Sequence, residues 1–256
     1  MIIPYFIEIC VMLFGLCIGS FLNVCIYRLP LSQSIVKPRS ACPECGNVIS
    51  AYDNIPVISY LWLRGKCRHC RTPISFRYPL VELLTGLLAL SVFKVFGLGF
   101  PGGVYFIFTA GLLMITFIDI DHRIIPDVIS LPGIAFFFLC SLFLPHSVLD
   151  SVLGILAGGG SLYLVAWGYH ALTGKEGMGG GDIKLLAMIG ALAGWKGVLF
   201  TIFVGSSLGC IVGLILMIRA RSNMKLAVPF GPFLSVGAIV HTFFGPQLIH
   251  WYLNVF

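Results

Sequence analysis

Residues 95–118, 151–174 and 197–218 contain no Asp, Glu, Lys or Arg. A helix needs about 20 apolar residues to cross the roughly 30 Å hydrocarbon core of a bilayer. Repeated uncharged stretches of that length leave few folds open to the chain. Of its 256 residues, 58% are apolar and 10% charged, against about 25% charged in an ordinary soluble domain. A soluble fold could not cover itself with so few charges. The sequence therefore predicts an all-α polytopic membrane protein, with most of its surface facing lipid. Nothing in it calls for a nucleic-acid partner.

Apolar runs place about eight transmembrane helices, near 5–27, 79–96, 101–118, 128–145, 148–171, 183–194, 198–218 and 226–250. The run at 183–194 is short, only ~18 Å of helix at 1.5 Å per residue. Local thinning of the bilayer can accommodate it, or it is a half-helix. With the N-terminus outside, the cytoplasmic segments hold Arg28, Lys37, Arg39, Arg64, Lys66, Arg68, Arg71 and Arg77, then Arg123, then Lys175 and Lys184, then Arg219, Arg221 and Lys225. Only Lys94 and Lys196 fall on the far side. Lys and Arg are retained in the cytoplasm, so this bias sets the orientation. The first span has no Lys or Arg before it, unlike a cleavable signal peptide, and reads as an uncleaved anchor. Three parts are expected: a first transmembrane helix over 1–27, a cytoplasmic cysteine-rich insert over 28–78, and a transmembrane bundle over 79–256.

Of nine cysteines, Cys10, Cys17, Cys25, Cys140 and Cys210 lie in apolar spans and read as small buried hydrophobes. The other four form Cys42-Pro-Glu-Cys45 and Cys67-Arg-His-Cys70, separated by 21 residues. Two such knuckles bring four thiolates to the corners of a tetrahedron, which suits a structural zinc ion. Two disulfides or free redox-active thiols are the alternatives, and a cytosolic location argues against disulfides. An insert of this size lacks a strong core of its own, and a metal would order it.

Acidic side chains are scarce, and ionisable groups at membrane depth are usually functional. Asp119 follows the apolar run Gly111–Ile118, and Asp182 precedes the run that begins at Ile183. Both are expected at cytoplasmic helix ends, at one membrane depth. Asp182 lies in Met178-Gly-Gly-Gly-Asp-Ile-Lys184. Glycines let a backbone or substrate approach closely. The plain alternative is that Asp182 only caps a helix. Asp119 lies in Asp119-Ile-Asp121-His-Arg-Ile-Ile-Pro126-Asp127. Asp121 fits a solvated turn, and Asp127 fits a cap for the next helix. When two carboxylates share a site, one is held protonated. The ionised partner then takes a proton from water, and the protonated one polarises the scissile carbonyl. The candidate catalytic pair is Asp119 and Asp182. Gly179, Gly181 and Lys184 around one, and Pro126 and Asp127 beyond the other, are supporting positions. No Ser/His or Cys/His pair carries a local motif.

At these residues the sequence resembles the bacterial prepilin peptidases, or type IV leader peptidases. The resemblance runs through Gly19-Ser-Phe-Leu-Asn-Val24 with Arg28-Leu-Pro30, Cys42-Pro-Glu-Cys45, Asn54-Ile-Pro56, Ser59-Tyr-Leu61, Arg64-Gly-Lys-Cys-Arg68 with Cys70, Ile74-Ser75, Arg77-Tyr-Pro79 and Val81-Glu82. It continues through Ile118-Asp-Ile-Asp-His122, Ile125-Pro-Asp127 and Gly174-Lys-Glu-Gly-Met-Gly-Gly-Gly-Asp-Ile-Lys184. It implies an enzyme of the bacterial inner membrane that cuts the basic leader from type IV prepilins or type II secretion pseudopilins after a glycine. It also implies N-methylation of the new terminus with S-adenosylmethionine, and catalytic roles for Asp119 and Asp182. The methyl-donor site has no sequence signature here; Asn23, Glu82 and the insert are candidates by position alone. A methyltransferase with structural aspartates and a non-enzymatic zinc-ribbon scaffold are the competing readings.

Overall fold

The computed structural model describes residues 2–145, 147–175, 177–220 and 228–255. Arg221 and Lys225, used in the charge reading, and Glu176 of the glycine-rich motif lie outside them. Eight α-helices are present among the described residues: α1 (Ile2–Arg28), α2 (Ile58–Trp62), α3 (Arg77–Phe96), α4 (Phe100–His122), α5 (Asp127–Ser141), α6 (Val148–Thr173), α7 (Gly180–Ala220) and α8 (Gly231–Val255). No strand occurs among these residues, only two isolated bridges, Ala41 with Val48 and Lys66 with Pro73. The chain is thus an all-α polytopic membrane protein. Six helices (α1, α3, α4, α6, α7 and α8) are long and apolar enough to cross a bilayer.

The eight expected spans correspond to six long helices and one short one, through two local features. Helix α7 has 41 residues and would run to roughly 62 Å if straight, twice the thickness of a ~30 Å core. It breaks at Gly194, whose φ of 68° is left-handed. The segments on either side of the break match the expected spans 183–194 and 198–218. Helix α5 has 15 residues, about 22 Å, and stops short of the expected residue 145. Pro145 follows a turn at 142–144 and disfavours helix in the residue before it. Helix α8 begins at Gly231 rather than 226, with Pro232 in its first turn, where a missing N–H costs nothing.

Two compact units divide the chain, residues 1–114 and 115–256. In the first, α1 packs on α3 through small residues. A Cβ added at Gly15 would lie 2.6 Å from the Ala89 Cβ and 2.8 Å from the Gly86 Cα; one at Gly19 would lie 2.6 Å from the Glu82 Cα. This is close backbone approach through glycines four apart. Glu8 and Lys94 pair at 3.6 Å between the same two helices. At the other end, the Asn23 amide donates to the Tyr78 carbonyl at 3.0 Å.

The second unit repeats the device between α6 and α7. Gly154 and Gly190 face one another, and a Cβ on either would overlap the carbonyl of the other. Gly158 sits likewise against the Leu186 carbonyl. Behind this contact Leu185, Leu186, Ile189 and Ala191 are buried. Gly190→Val is expected to destabilise the protein by about 1–3 kcal/mol through overpacking. The check is a fall in the thermal midpoint in detergent, with Gly160→Val, which meets open space, as the control.

Candidate active site and metal centre

Asp119 lies in the last turn of α4, which ends where Arg123 turns to a left-handed φ of 55°. Its side chain is buried, 5% exposed. Asp121, two residues on, is exposed. The helical period alone separates them: residues two apart point to different faces. The Oδ2 of Asp119 accepts a hydrogen bond from the backbone N–H of Gly231 at 3.1 Å. That N–H is free to donate because the first N–H groups of a helix have no intrahelical acceptor.

Asp182 lies in the first turn of α7, two residues inside its start at Gly180, and is partly buried. A negative charge there suits the helix dipole. None of Gly179, Gly180 and Gly181 has a left-handed φ, so unusual dihedrals do not explain them. A Cβ at Gly179 or Gly180 would meet nothing within 4 Å, whereas one at Gly181 would lie 2.9 Å from the Ile125 Cβ, so packing explains Gly181 alone. Ile125 also reaches Gly231, where an added Cβ would lie 3.2 Å from its Cδ1. Ile125 thus packs against the starts of both α7 and α8. This contact joins the helix start that carries Asp182 to the helix start whose N–H binds Asp119. Pro126 leads into α5, and Asp127 is that helix's first residue, where a negative charge suits the helix dipole. Lys184 Nζ binds both Asp127 oxygens, at 2.7 and 2.8 Å, and so ties the start of α7 to the start of α5.

The insert holds a second constellation. Sγ atoms of Cys42, Cys45, Cys67 and Cys70 all lie within 4.8 Å of one another. The two knuckles share one backbone pattern. Cys42 N–H donates to Asn47 O (2.9 Å) and Gly46 N–H to Cys42 O (2.9 Å). In the second, Cys67 N–H donates to Thr72 O (2.8 Å) and Arg71 N–H to Cys67 O (3.1 Å). The fifth residue of each is left-handed: Gly46 at φ 69° and Arg71 at φ 61°. An arginine there costs roughly 1–2 kcal/mol, which the knuckle must offset. The cluster can hold a metal ion. Asp53 takes Arg68 in a two-pronged pair, Nε to Oδ2 at 2.8 Å and Nη2 to Oδ1 at 2.6 Å. This fastens the second knuckle to the 3₁₀ turn Ala51–Asn54. Hydrogen bonding to Arg68 holds the Asp53 carboxyl below its usual range. The pair's contribution is therefore complete above the ordinary carboxylate pKa and is lost as pH falls through the lowered one.

Residues 13–96 match the Bacterial Peptidase A24 N-terminal domain, and residues 106–214 match the Type IV leader peptidase family. A protein of Aeromonas hydrophila named prepilin leader peptidase/N-methyltransferase is 38% identical over 281 positions, spanning 99% of this chain and 96% of that protein. The protein of the same name in Pseudomonas aeruginosa is 39% identical over 275 positions, spanning 98% and 95%. The chain belongs to the type IV leader peptidase family. No solved structure matches it.

One residue that this leader peptidase places in the aspartate site was not singled out in the sequence. Gly231 is 112 residues from Asp119, and no spacing rule links them. The available signal was Val228-Pro-Phe-Gly-Pro-Phe233, a glycine between two prolines at the entry to an apolar run. A Cβ at Gly231 would lie 2.7 Å from Asp119 Oδ2. Gly231→Ala is expected to turn the carboxylate away and lower kcat for leader removal by about 10–100-fold, as small misplacements of reacting groups do. KM should be unchanged, which single-substrate kinetics on a synthetic prepilin will check.

Proposed function

We propose that this chain removes the basic leader from type IV prepilins or pseudopilins after a glycine, with Asp119 and Asp182 as the catalytic pair, and then N-methylates the new terminus. One observation carries the peptidase assignment: Ile125 packs against the start of α7, which carries Asp182, and against the start of α8, whose Gly231 N–H binds Asp119, beside Gly179 and Gly180, which leave open space. One aspartate, ionised, takes a proton from water as its oxygen adds to the scissile carbonyl carbon. The other, protonated, donates to the carbonyl oxygen. Collapse of the tetrahedral species breaks the C–N bond, and the amine leaves with a proton from the pair. Gly179, with Gly180, keeps side chains out of the substrate's approach, and Gly181 lets Ile125 pack against the start of α7. Lys184, Pro126 and Asp127 hold α5 and α7 in register around it.

The insert over 28–78 carries the metal in this reading, beside the first helix over 1–27 and the bundle over 79–256. A ZnS4 tetrahedron with Zn–S bonds of about 2.3 Å has S···S edges of roughly 3.8 Å, and Cys42 and Cys70 Sγ stand 3.8 Å apart. The donor set therefore fits zinc held by Cys42, Cys45, Cys67 and Cys70. Four thiolates leave no open coordination position, so its role is structural. Exposed Arg64, Lys66, Arg68 and Arg71 in the insert support its placement on the cytoplasmic side of the inner membrane, with the N-terminus outside. S-adenosylmethionine supplies the methyl group. Asn23 and Glu82 are engaged in packing: Asn23 holds the Tyr78 carbonyl, and Glu82 accepts the Val57 N–H at 2.8 Å. No step is assigned to them. The test is incubation of the purified chain with a synthetic prepilin in detergent, with and without S-adenosylmethionine, followed by mass spectrometry. Leader loss in both arms and one added methyl in the second are expected. A full-length substrate in both would reject the peptidase reading.

A further inference from the structure

Helix α2 is five residues long and turns its large side chains outward. Ile58 is 59% exposed, Leu61 69% and Trp62 80%. Positions i, i+3 and i+4 of a helix lie on one face, so these three form a single apolar stripe. A water-facing insert has no reason to present such a stripe, and this one lies outside the six spanning helices, where exposure to lipid would be routine.

Its depth can be read from its attachments. Val57, immediately before α2, donates its N–H to Glu82 Oε2 at 2.8 Å. Glu82 is five residues inside α3, about 7.5 Å along the axis from Arg77. With 20 residues, α3 is no longer than a crossing requires. The entry to α2 is therefore held at the level of the second turn of a membrane helix. Val57 adopts a φ of 62° to reach it, an outlier for a β-branched residue that only a firm constraint maintains. Ser59 Oγ donates to Tyr52 O at 3.0 Å. The Tyr60 ring meets Phe76, the residue before α3, edge-on at 6.4 Å. Tyr27 and Arg28 end α1, and Arg77 and Tyr78 begin α3; such residues mark the headgroup level. Arg64 and Lys66 follow the stripe directly. Both are exposed, and neither has an ion-pair partner among the described residues.

We propose that α2 is an interfacial helix, seated in the headgroup region of an anionic leaflet, with Ile58, Leu61 and Trp62 in the acyl boundary and Arg64 and Lys66 against lipid phosphates. Apolar area and basic charge add in such binding. The insert then rests on the membrane instead of swinging above it, and its metal centre stands at a fixed height. This does not depend on the peptidase reading.

The test uses the full chain in nanodiscs and compares wild type with Trp62→Phe, so that the difference spectrum isolates Trp62 from the other three tryptophans. In phosphatidylglycerol-containing nanodiscs the Trp62 emission should be blue-shifted, and lipids brominated near the headgroup should remove most of it. An unquenched emission characteristic of water would overturn the proposal. So would shielding that appears only when a prepilin peptide is added, since the stripe would then be a peptide-docking surface. Pure phosphatidylcholine nanodiscs, and Arg64→Glu with Lys66→Glu, should each weaken the quenching; equal quenching in all arms would reject the role of the cations. Trp62 touches neither candidate site, so metal content and leader removal in Trp62→Phe should match wild type.

Discussion

Leader removal is expected to fall by at least about 10³-fold when either Asp119 or Asp182 is replaced by asparagine, within the range that positioned acid–base groups supply. Asparagine keeps the size and one carbonyl oxygen of aspartate. At position 119 that oxygen can still accept the Gly231 N–H, so the packing of α4 on the start of α8 is preserved. What asparagine cannot do is hold or release the proton that hydrolysis moves. A purely structural aspartate would tolerate the change with a small loss of stability and normal cleavage. Circular dichroism and thermal midpoint in detergent should match wild type, while mass spectrometry finds the prepilin intact. Normal cleavage by one variant would take that residue out of the mechanism. Methylation of a pre-cut substrate should persist in both variants, as expected of separate sites. Its loss would mean that the two activities share a site.

The features legible in the sequence are those that depend on local period or spacing. Uncharged runs gave the spanning helices because each satisfies its own backbone wherever it sits. The knuckles were legible because Cys-x-x-Cys imposes its own turn, here repeated to the left-handed fifth residue. Asp119 stood out from Asp121 only through its place after an apolar run, and the structure separates them by burial. The break at Gly194 was legible as a gap between spans, but not as a single left-handed residue between two helical segments. Contacts between distant segments were not legible. Nothing in Gly231 announces an N–H aimed at Asp119, and nothing in Val57 announces its hold on Glu82. Lys184 and Asp127 were both noted, but not that they bind each other across 57 residues. Such pairings arise from how helices pack, and a single sequence does not encode packing in any local pattern.

Replacing Cys42 and Cys70 together by serine should remove about one equivalent of zinc per chain and unfold the insert while leaving the spanning helices intact. Between α1 and α3 the chain has two isolated bridges, one 3₁₀ turn without a buried residue and a five-residue helix. Its side-chain ties, among them Asp53 with Arg68, Ser59 with Tyr52 and Glu82 with Val57, do not join the first knuckle to the second. The four sulfurs bring the two together. Apparent binding free energies for structural zinc are about 10–16 kcal/mol, far above what an exposed ion pair supplies, so the metal decides whether the two knuckles stay together. Serine oxygens at two corners would leave two thiolates, too few to close the tetrahedron. Metal analysis of protein purified without chelator should give near one zinc for wild type and near none for the variant. Limited proteolysis should then cut between residues 28 and 78 in the variant and in chelator-treated wild type. Helical content in detergent should barely change, because the long helices carry it. A wild-type protein without metal would reject the site. A metal-free variant whose insert still resists protease would show that contacts with α1 and α3 order the insert by themselves.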